Sequence, residues 1–120
     1  CIGCHALPFF TDFSFRNIGL YEAYADSGRA RVTRISTDNG KFKVPTLRNV
    51  ALTAPYMHNG SRPDLASVIE HFSTGIIAHP NLDPQLQNLN LTPQQKSDLE
   101  AFLGALTDQG FIQREELGAP

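Results

Sequence analysis

The run Cys1-Ile2-Gly3-Cys4-His5 holds both cysteines of the chain. On one turn of helix, two thiols three residues apart can add to the two vinyl groups of a haem, and the imidazole that follows faces the iron. Cys-x-x-Cys-His is therefore the attachment signature of c-type haem. Iron held by an imidazole is then tuned by the opposite ligand, by burial and by hydrogen bonding. Besides a chance match, two other uses of these residues compete. A thioredoxin-like dithiol needs a βαβ pattern around it, and none follows. A zinc site needs four ligands and would have to recruit His58, His71 or His79, at none of the usual spacings. The motif reads as haem c, with Cys1 and Cys4 as thioether residues and His5 as the proximal iron ligand.

Outward from the motif, 120 residues make one domain, 1–120, with a single core. The net charge of −2 suggests no basic patch for nucleic acid. No apolar run approaches the length of a membrane span. A haem-attachment helix normally has a turn or more before its first cysteine, so the chain is expected to be a fragment or a processed form. Haem c is attached outside the bacterial cytoplasm, which implies a periplasmic or extracytoplasmic setting.

The spacing predicts a helix over residues 1–7, ended by Pro8. From Phe9 to Gly40 the aromatic residues keep no regular period, and glycines punctuate them. That pattern suits irregular chain wrapped over a flat apolar group, with one short helix near Tyr21–Ala25. Residues 41–45 alternate briefly as an extended piece, and Thr46–Ala54 suits a single helical turn. Two helices are clearer. In Asp64–Thr74, Leu65, Val68, Ile69 and Phe72 form one stripe, with Asp64 as cap and Gly75 expected as a left-handed stop. In Thr92–Thr107, Thr92, Pro93 and Gln95 form a proline-supported capping box, and Leu99, Phe102, Leu103 and Leu106 form the buried stripe. Residues 76–90 are a loop, and the tail after Phe111 has no stripe. The expected fold is all-α, a small cytochrome c-like domain with a long haem-wrapping loop.

With that order in place, Lys41-Phe42-Lys43-Val44-Pro45-Thr46-Leu47-Arg48-Asn49-Val50-Ala51-Leu52-Thr53-Ala54-Pro55-Tyr56-Met57-His58-Asn59-Gly60 resembles the signature of the bacterial di-haem cytochrome c peroxidase family, which includes the MauG-type enzymes. The likeness continues through 65–75 and 91–108 and reaches back through Phe15-Arg16-Asn17-Ile18-Gly19. It concerns the C-terminal haem domain of that family. A separate N-terminal domain there carries the second, peroxide-reactive haem.

The resemblance implies that Cys1, Cys4 and His5 bind haem c. It also implies that the backbone carbonyls of Thr53 and Pro55 contribute half of a calcium site, since carbonyl oxygens suit a hard cation. The family places its distal iron ligand, Met or Tyr, where this chain has Phe72. Phenylalanine cannot coordinate iron, so an open sixth position under Phe72 is the leading expectation. Met57 is the next candidate ligand and His71 the third, about 100° around the helix from the stripe. Arg48, with Lys41 or Lys43, either pairs with haem propionates or is ordinary surface charge. His79 reads as a surface residue and His58 as a hydrogen-bonded turn histidine. The function implied is an electron-transfer domain. It would be fed by a small cytochrome or cupredoxin and would relay electrons to a peroxidatic haem in an N-terminal domain, so that enzymatic turnover would belong to the full-length protein and electron transfer to this chain. The rivals are a stand-alone monohaem carrier or redox subunit, and a haem-based gas sensor.

Overall fold

A computed structural model describes residues 1–118. Its elements are β1 (Phe15–Arg16), α1 (Ala30–Thr33), β2 (Phe42–Lys43), α2 (Leu65–Thr74), α3 (Pro93–Ala105) and α4 (Gln109–Ile112), with 3-10 turns at Ser36–Asp38, Val50–Leu52 and Glu115–Leu117. β1 and β2 pair antiparallel, Phe15 opposite Lys43 and Arg16 opposite Phe42. The domain is therefore not purely α-helical: the brief alternation at 41–45 is a strand whose partner lies a loop away. Among the described residues no helix is long and apolar enough to cross a membrane.

The two long helices form where their end signals place them. Asp64 accepts the Ser67 amide at 2.7 Å, and the Ser67 hydroxyl faces back to Asp64, closing a capping box. Thr92 and Gln95 do the same for α3, with Pro93 in the first turn. α2 meets α3 through Leu65, Ile69 and Leu103, and Leu47, Val50, Tyr56, Leu91, Leu99 and Leu106 pack around that seam. Phe102 departs from expectation, being 50% exposed. The seam follows Leu99, Leu103 and Leu106 at i, i+4 and i+7, which turns Phe102 outward. Gly75 is not left-handed (φ −103°). A Cβ there would lie 3.1 Å from the His71 Cα, so close approach is what the glycine serves.

Three further expectations need correction. Residues 1–7 form turns rather than a helix, and the chain near Tyr21–Ala25 only bends. No stripe exists in either stretch to bury a helix, and short helices without one are marginal. The tail is not structureless: Asp108 accepts the Phe111 amide at 2.9 Å and starts α4. Residues 119 and 120 lie outside the described residues.

The loop half is held differently. Asn17, fully buried, accepts from the Gly19 amide (2.8 Å) and the Tyr24 hydroxyl (3.0 Å) and donates to His79 Nδ1 (3.1 Å). Gly40 (φ +73°) leaves room for this cluster, since a Cβ would stand 2.6 Å from Asn17 Nδ2 and 2.7 Å from the Tyr24 ring. The radius of gyration is 15.4 Å, against about 13.6 Å for a typical domain of this length. Buried apolar residues are few: Leu20, Val44, Leu65, Ile69 and Leu103 among those described. A domain this open carries apolar side chains that its own core does not cover.

Candidate haem-binding site

Backbone bonds close a single turn over the motif: the amides of Cys4 and His5 both donate to the Cys1 carbonyl, at 3.1 and 2.9 Å. That turn places Cys1, Cys4 and His5 on one short stretch of backbone even without a longer helix. Cys1 is exposed, Cys4 half-buried, and both thiols are free. Burial, more than any neighbouring charge, raises the Cys4 thiol above its usual value. Cys4 is thus a neutral thiol, the form that adds across a vinyl group with its proton.

The chain returns at once over this turn, Asp12 N donating to the Cys4 carbonyl at 2.8 Å and Thr11 N to the Ala6 carbonyl at 3.2 Å. Phe10 takes a left-handed conformation (φ 52°), costing about 1–3 kcal/mol for a bulky residue. Its carbonyl accepts from His5 Nδ1 at 3.0 Å. A carbonyl can only accept, so the His5 proton sits on Nδ1 and the Nε2 lone pair is left for a metal. An imidazole oriented by a backbone carbonyl is the usual arrangement for a histidine metal ligand. The donor set (two free thiols and one oriented imidazole) fits haem c.

Residues 44–48 strap this loop. Thr11 Oγ1 donates to the Val44 carbonyl (2.7 Å), Thr46 Oγ1 to the Phe9 carbonyl (2.6 Å) and Arg48 Nη2 to the Pro8 carbonyl (2.7 Å). Arg48, left open as a propionate partner or ordinary surface charge, thus lies beside the motif, its guanidinium 5.6 Å from the Phe10 ring centroid. A second brace was not foreseen. Arg16 donates to Asp12 (2.8 Å), to Asp83 (2.6 Å) and to Ser14 Oγ (2.7 Å). It ties the post-motif loop to the 81–90 loop, whose Gln85 side chain crosses Gly3. The Ser14 hydroxyl and amide, then Arg16, lower the Asp12 carboxyl to about 2. The i, i+4 spacing of Asp12 and Arg16 was the available signal; Asp83 had none.

The expected distal residues sit on α2. His71, not Phe72, is the more deeply buried: His71 is 2% exposed and Phe72 half-buried. His71 Nε2 donates to the Ile18 carbonyl at 3.0 Å, and Nδ1 is buried without a partner among the described residues. Burial, the largest cause, pushes its pKa down despite that bond. The helix is thus packed on a second side, toward 17–20, which a single stripe could not reveal. Met57 is half-buried with φ 69°, in a loop closed by the Tyr56–Arg62 bridge. Thr53 and Pro55 are exposed, and their carbonyls accept no hydrogen bond among the described residues. Two histidines differ from expectation. His79 is no open surface residue, since its Nδ1 accepts from Asn17 Nδ2 and from the Asn81 amide at 3.0 Å. His58 makes no hydrogen bond among the described residues and stacks on Phe42, centroids 3.8 Å apart at 13°.

No family model matches the chain. It is 35% identical over 106 residues to a methylamine utilization protein MauG of Methylophilus methylotrophus, which covers 88% of the chain and 32% of that protein. It is 38% identical over 111 residues to a cytochrome c551 peroxidase of Nitrosomonas europaea, covering 89% of the chain and 30% of that protein. Among solved structures, a MauG-like protein associated with microbial copper homeostasis superposes with a TM-score of 0.92 and 34% identity, covering 100% of the chain and 46% of that protein. The chain spans about a third of the length of these curated relatives. The length, identity and superposition agree with the geometry of the motif: the chain belongs to the di-haem cytochrome c peroxidase and MauG family, of whose members it matches one haem domain.

Proposed function

We propose that this chain is the C-terminal, electron-transferring haem domain of a di-haem cytochrome c peroxidase-like protein, working with an N-terminal domain that carries the peroxidatic haem. Cys1 and Cys4 would hold haem c through thioethers, each thiol adding across a vinyl group so that sulfur and proton both end on the cofactor without net electron exchange. The observation that carries the reading is the His5 Nδ1–H bond to the Phe10 carbonyl, which fixes the imidazole with Nε2 free. Bound there, haem c supplies a one-electron carrier. The chain's own contribution is orientation: Phe10 aims His5, the 44–48 strap holds Phe10, and Arg16 pins the loop to Asp83. Phe72 would offer the iron no ligand from α2, and Met57 would be the alternative ligand. Arg48 keeps donors beyond the one on Pro8 for a propionate. The Thr53 and Pro55 carbonyls would supply part of a calcium site completed by the other domain. The whole protein reduces hydrogen peroxide or oxidises a substrate, outside the cytoplasm, with electrons from a small cytochrome or cupredoxin. A stand-alone monohaem carrier is not favoured, because the relatives matched are MauG and cytochrome c peroxidases.

In the full-length protein, the double variant Cys1→Ser/Cys4→Ser tests the relay. Donor-driven peroxide consumption is expected to fall by 100-fold or more, on the order of the loss when a required element of a catalytic path is removed. The spectral response of the peroxidatic domain to peroxide persists. Unchanged turnover would remove this domain from the path. The same preparation reads the sixth position: Phe72→Met should give a new low-spin spectrum, whereas loss of a low-spin spectrum in Met57→Ala would assign the ligand to Met57.

A further inference from the structure

The net charge of −2 conceals a steep asymmetry along the chain. Six of the ten lysines and arginines lie between Arg29 and Arg48, against one acid, Asp38; the rest of the chain carries four cations and eleven acids. We infer that this basic strip is the docking face for an acidic electron-carrier protein, centred on Lys43 and Arg48, an inference that rests on the electron-transfer reading above.

The strip combines charge with exposed aromatic surface. The Arg29 guanidinium lies 4.4 Å from the Phe15 ring centroid, Lys43 Nζ 5.1 Å from that of Phe13 and the Arg48 guanidinium 5.6 Å from that of Phe10. Phe13 is 56% exposed and stands 5.9 Å from Phe9, itself 57% exposed. Phe15 pairs with Lys43 across the sheet, so these contacts run continuously from Arg29 to Arg48. Asp38 engages Arg29 and Lys41. Arg31, Arg34, Lys43 and Arg48 have no carboxylate partner among the described residues. The strip also lies against the haem motif, since Thr46 and Arg48 donate to the carbonyls of Phe9 and Pro8, four and three residues beyond His5.

Aromatic rings and arginines are what protein interfaces concentrate at their centres. A cationic patch on an otherwise acidic body orients an acidic partner and speeds its encounter. An acidic carrier approaching here delivers one electron: the carrier is oxidised by one and the haem held by Cys1, Cys4 and His5 is reduced by one. A basic carrier is drawn to the remaining, acidic surface and away from this edge.

The test uses the full-length, haem-loaded protein and two small reductants of opposite charge, anionic iron(II)–EDTA and cationic hexaammineruthenium(II). The second-order rate with the anion should fall about tenfold or more as ionic strength rises from about 10 to about 300 mM, while the rate with the cation rises or stays flat. Lys43→Glu combined with Arg31→Glu should reverse that order. In a calorimetric titration at low salt, the same variant should bind a small acidic c-type cytochrome at least tenfold more weakly. Equal salt dependence for both reductants with no change in titration overturns the inference, as does a potential shift without loss of binding, which would assign the cations to the haem carboxylates. A face covered by another domain of the same protein shows as no binding in wild type and variant alike, and also overturns it. The titration does not depend on attachment chemistry, so loss of covalent haem counts against the functional reading and not against this surface.

Discussion

In residues 64–106 two helices meet through Leu65, Ile69 and Leu103, whereas in residues 8–62 the chain is pinned by side chains that hydrogen-bond across long loops. Thr11 reaches Val44, Arg48 reaches Pro8, and Arg16 reaches Asp83. The first region is stabilised by apolar area removed from water, which is non-directional and tolerant of small shifts. The second fixes particular carbonyls and rings in place, at the cost of left-handed backbone at Phe10, Phe13 and Met57. The domain separates its stability from its precision: the helical seam holds the molecule together, and the hydrogen-bonded loops set the orientation of His5.

The largest expected effect breaks the seam. Ile69→Ala, at a site 3% exposed, should cost about 2–5 kcal/mol in denaturant unfolding of the haem-loaded protein. An effect under about 0.5 kcal/mol, the range of ordinary surface changes, would mean that the seam is not the source of stability. Next is the loop half. Asn17→Ala strands the Gly19 amide, the Tyr24 hydroxyl and His79, and should cost about 1–3 kcal/mol. Faster hydrogen exchange should then appear at 17–24 and 79–83 and not along α2 and α3; exchange accelerated uniformly would merge the two regions into one cooperative unit.

The smallest effect sharpens the comparison through pH. The folded protein holds His71 below its usual pKa, chiefly by burial, so the unfolded chain binds the extra proton first. The associated stability is full above about 6.5 and lost as pH falls toward the folded value. Asp12 is held at about 2, below its ordinary value of 3.8. Its contribution is complete above 3.8 and disappears as pH falls through about 2. Urea midpoints should therefore decline first near pH 6, a step removed in His71→Phe, and again below pH 4, a step removed in Asp12→Asn. A midpoint flat across both windows would contradict the assignment of either group.

The two regions were also unequally readable from residues alone. α2 and α3 announce themselves because apolar spacing and end caps are local: Asp64 and Ser67, or Thr92 and Gln95, lie within four residues of each other. The turn at 1–5 is equally local, closed by the Cys4 and His5 amides on the Cys1 carbonyl. The carbonyl that orients His5 was not, because it depends on the backbone angle at Phe10, which nothing in a phenylalanine advertises. Nor were the Arg16–Asp83 brace, separated by 67 residues, or the Asn17–His79 contact, separated by 62. The burial of His71 escaped the stripe because α2 packs on two sides. The expectation of an all-α fold failed because the alternation at 41–45 showed an extended piece but not its partner, Phe15–Arg16, which is two residues long.

The central claim is that Cys1 and Cys4 carry haem covalently with His5 facing its iron. Acid–acetone extraction of the denatured protein, followed by the pyridine haemochrome spectrum of the pellet, tests it most directly. All haem should stay with the polypeptide and give the spectrum of c-type haem, and Cys1→Ser/Cys4→Ser should release it. Haem recovered free in the acetone layer from the unaltered protein, or stoichiometric zinc in place of iron, would contradict the account.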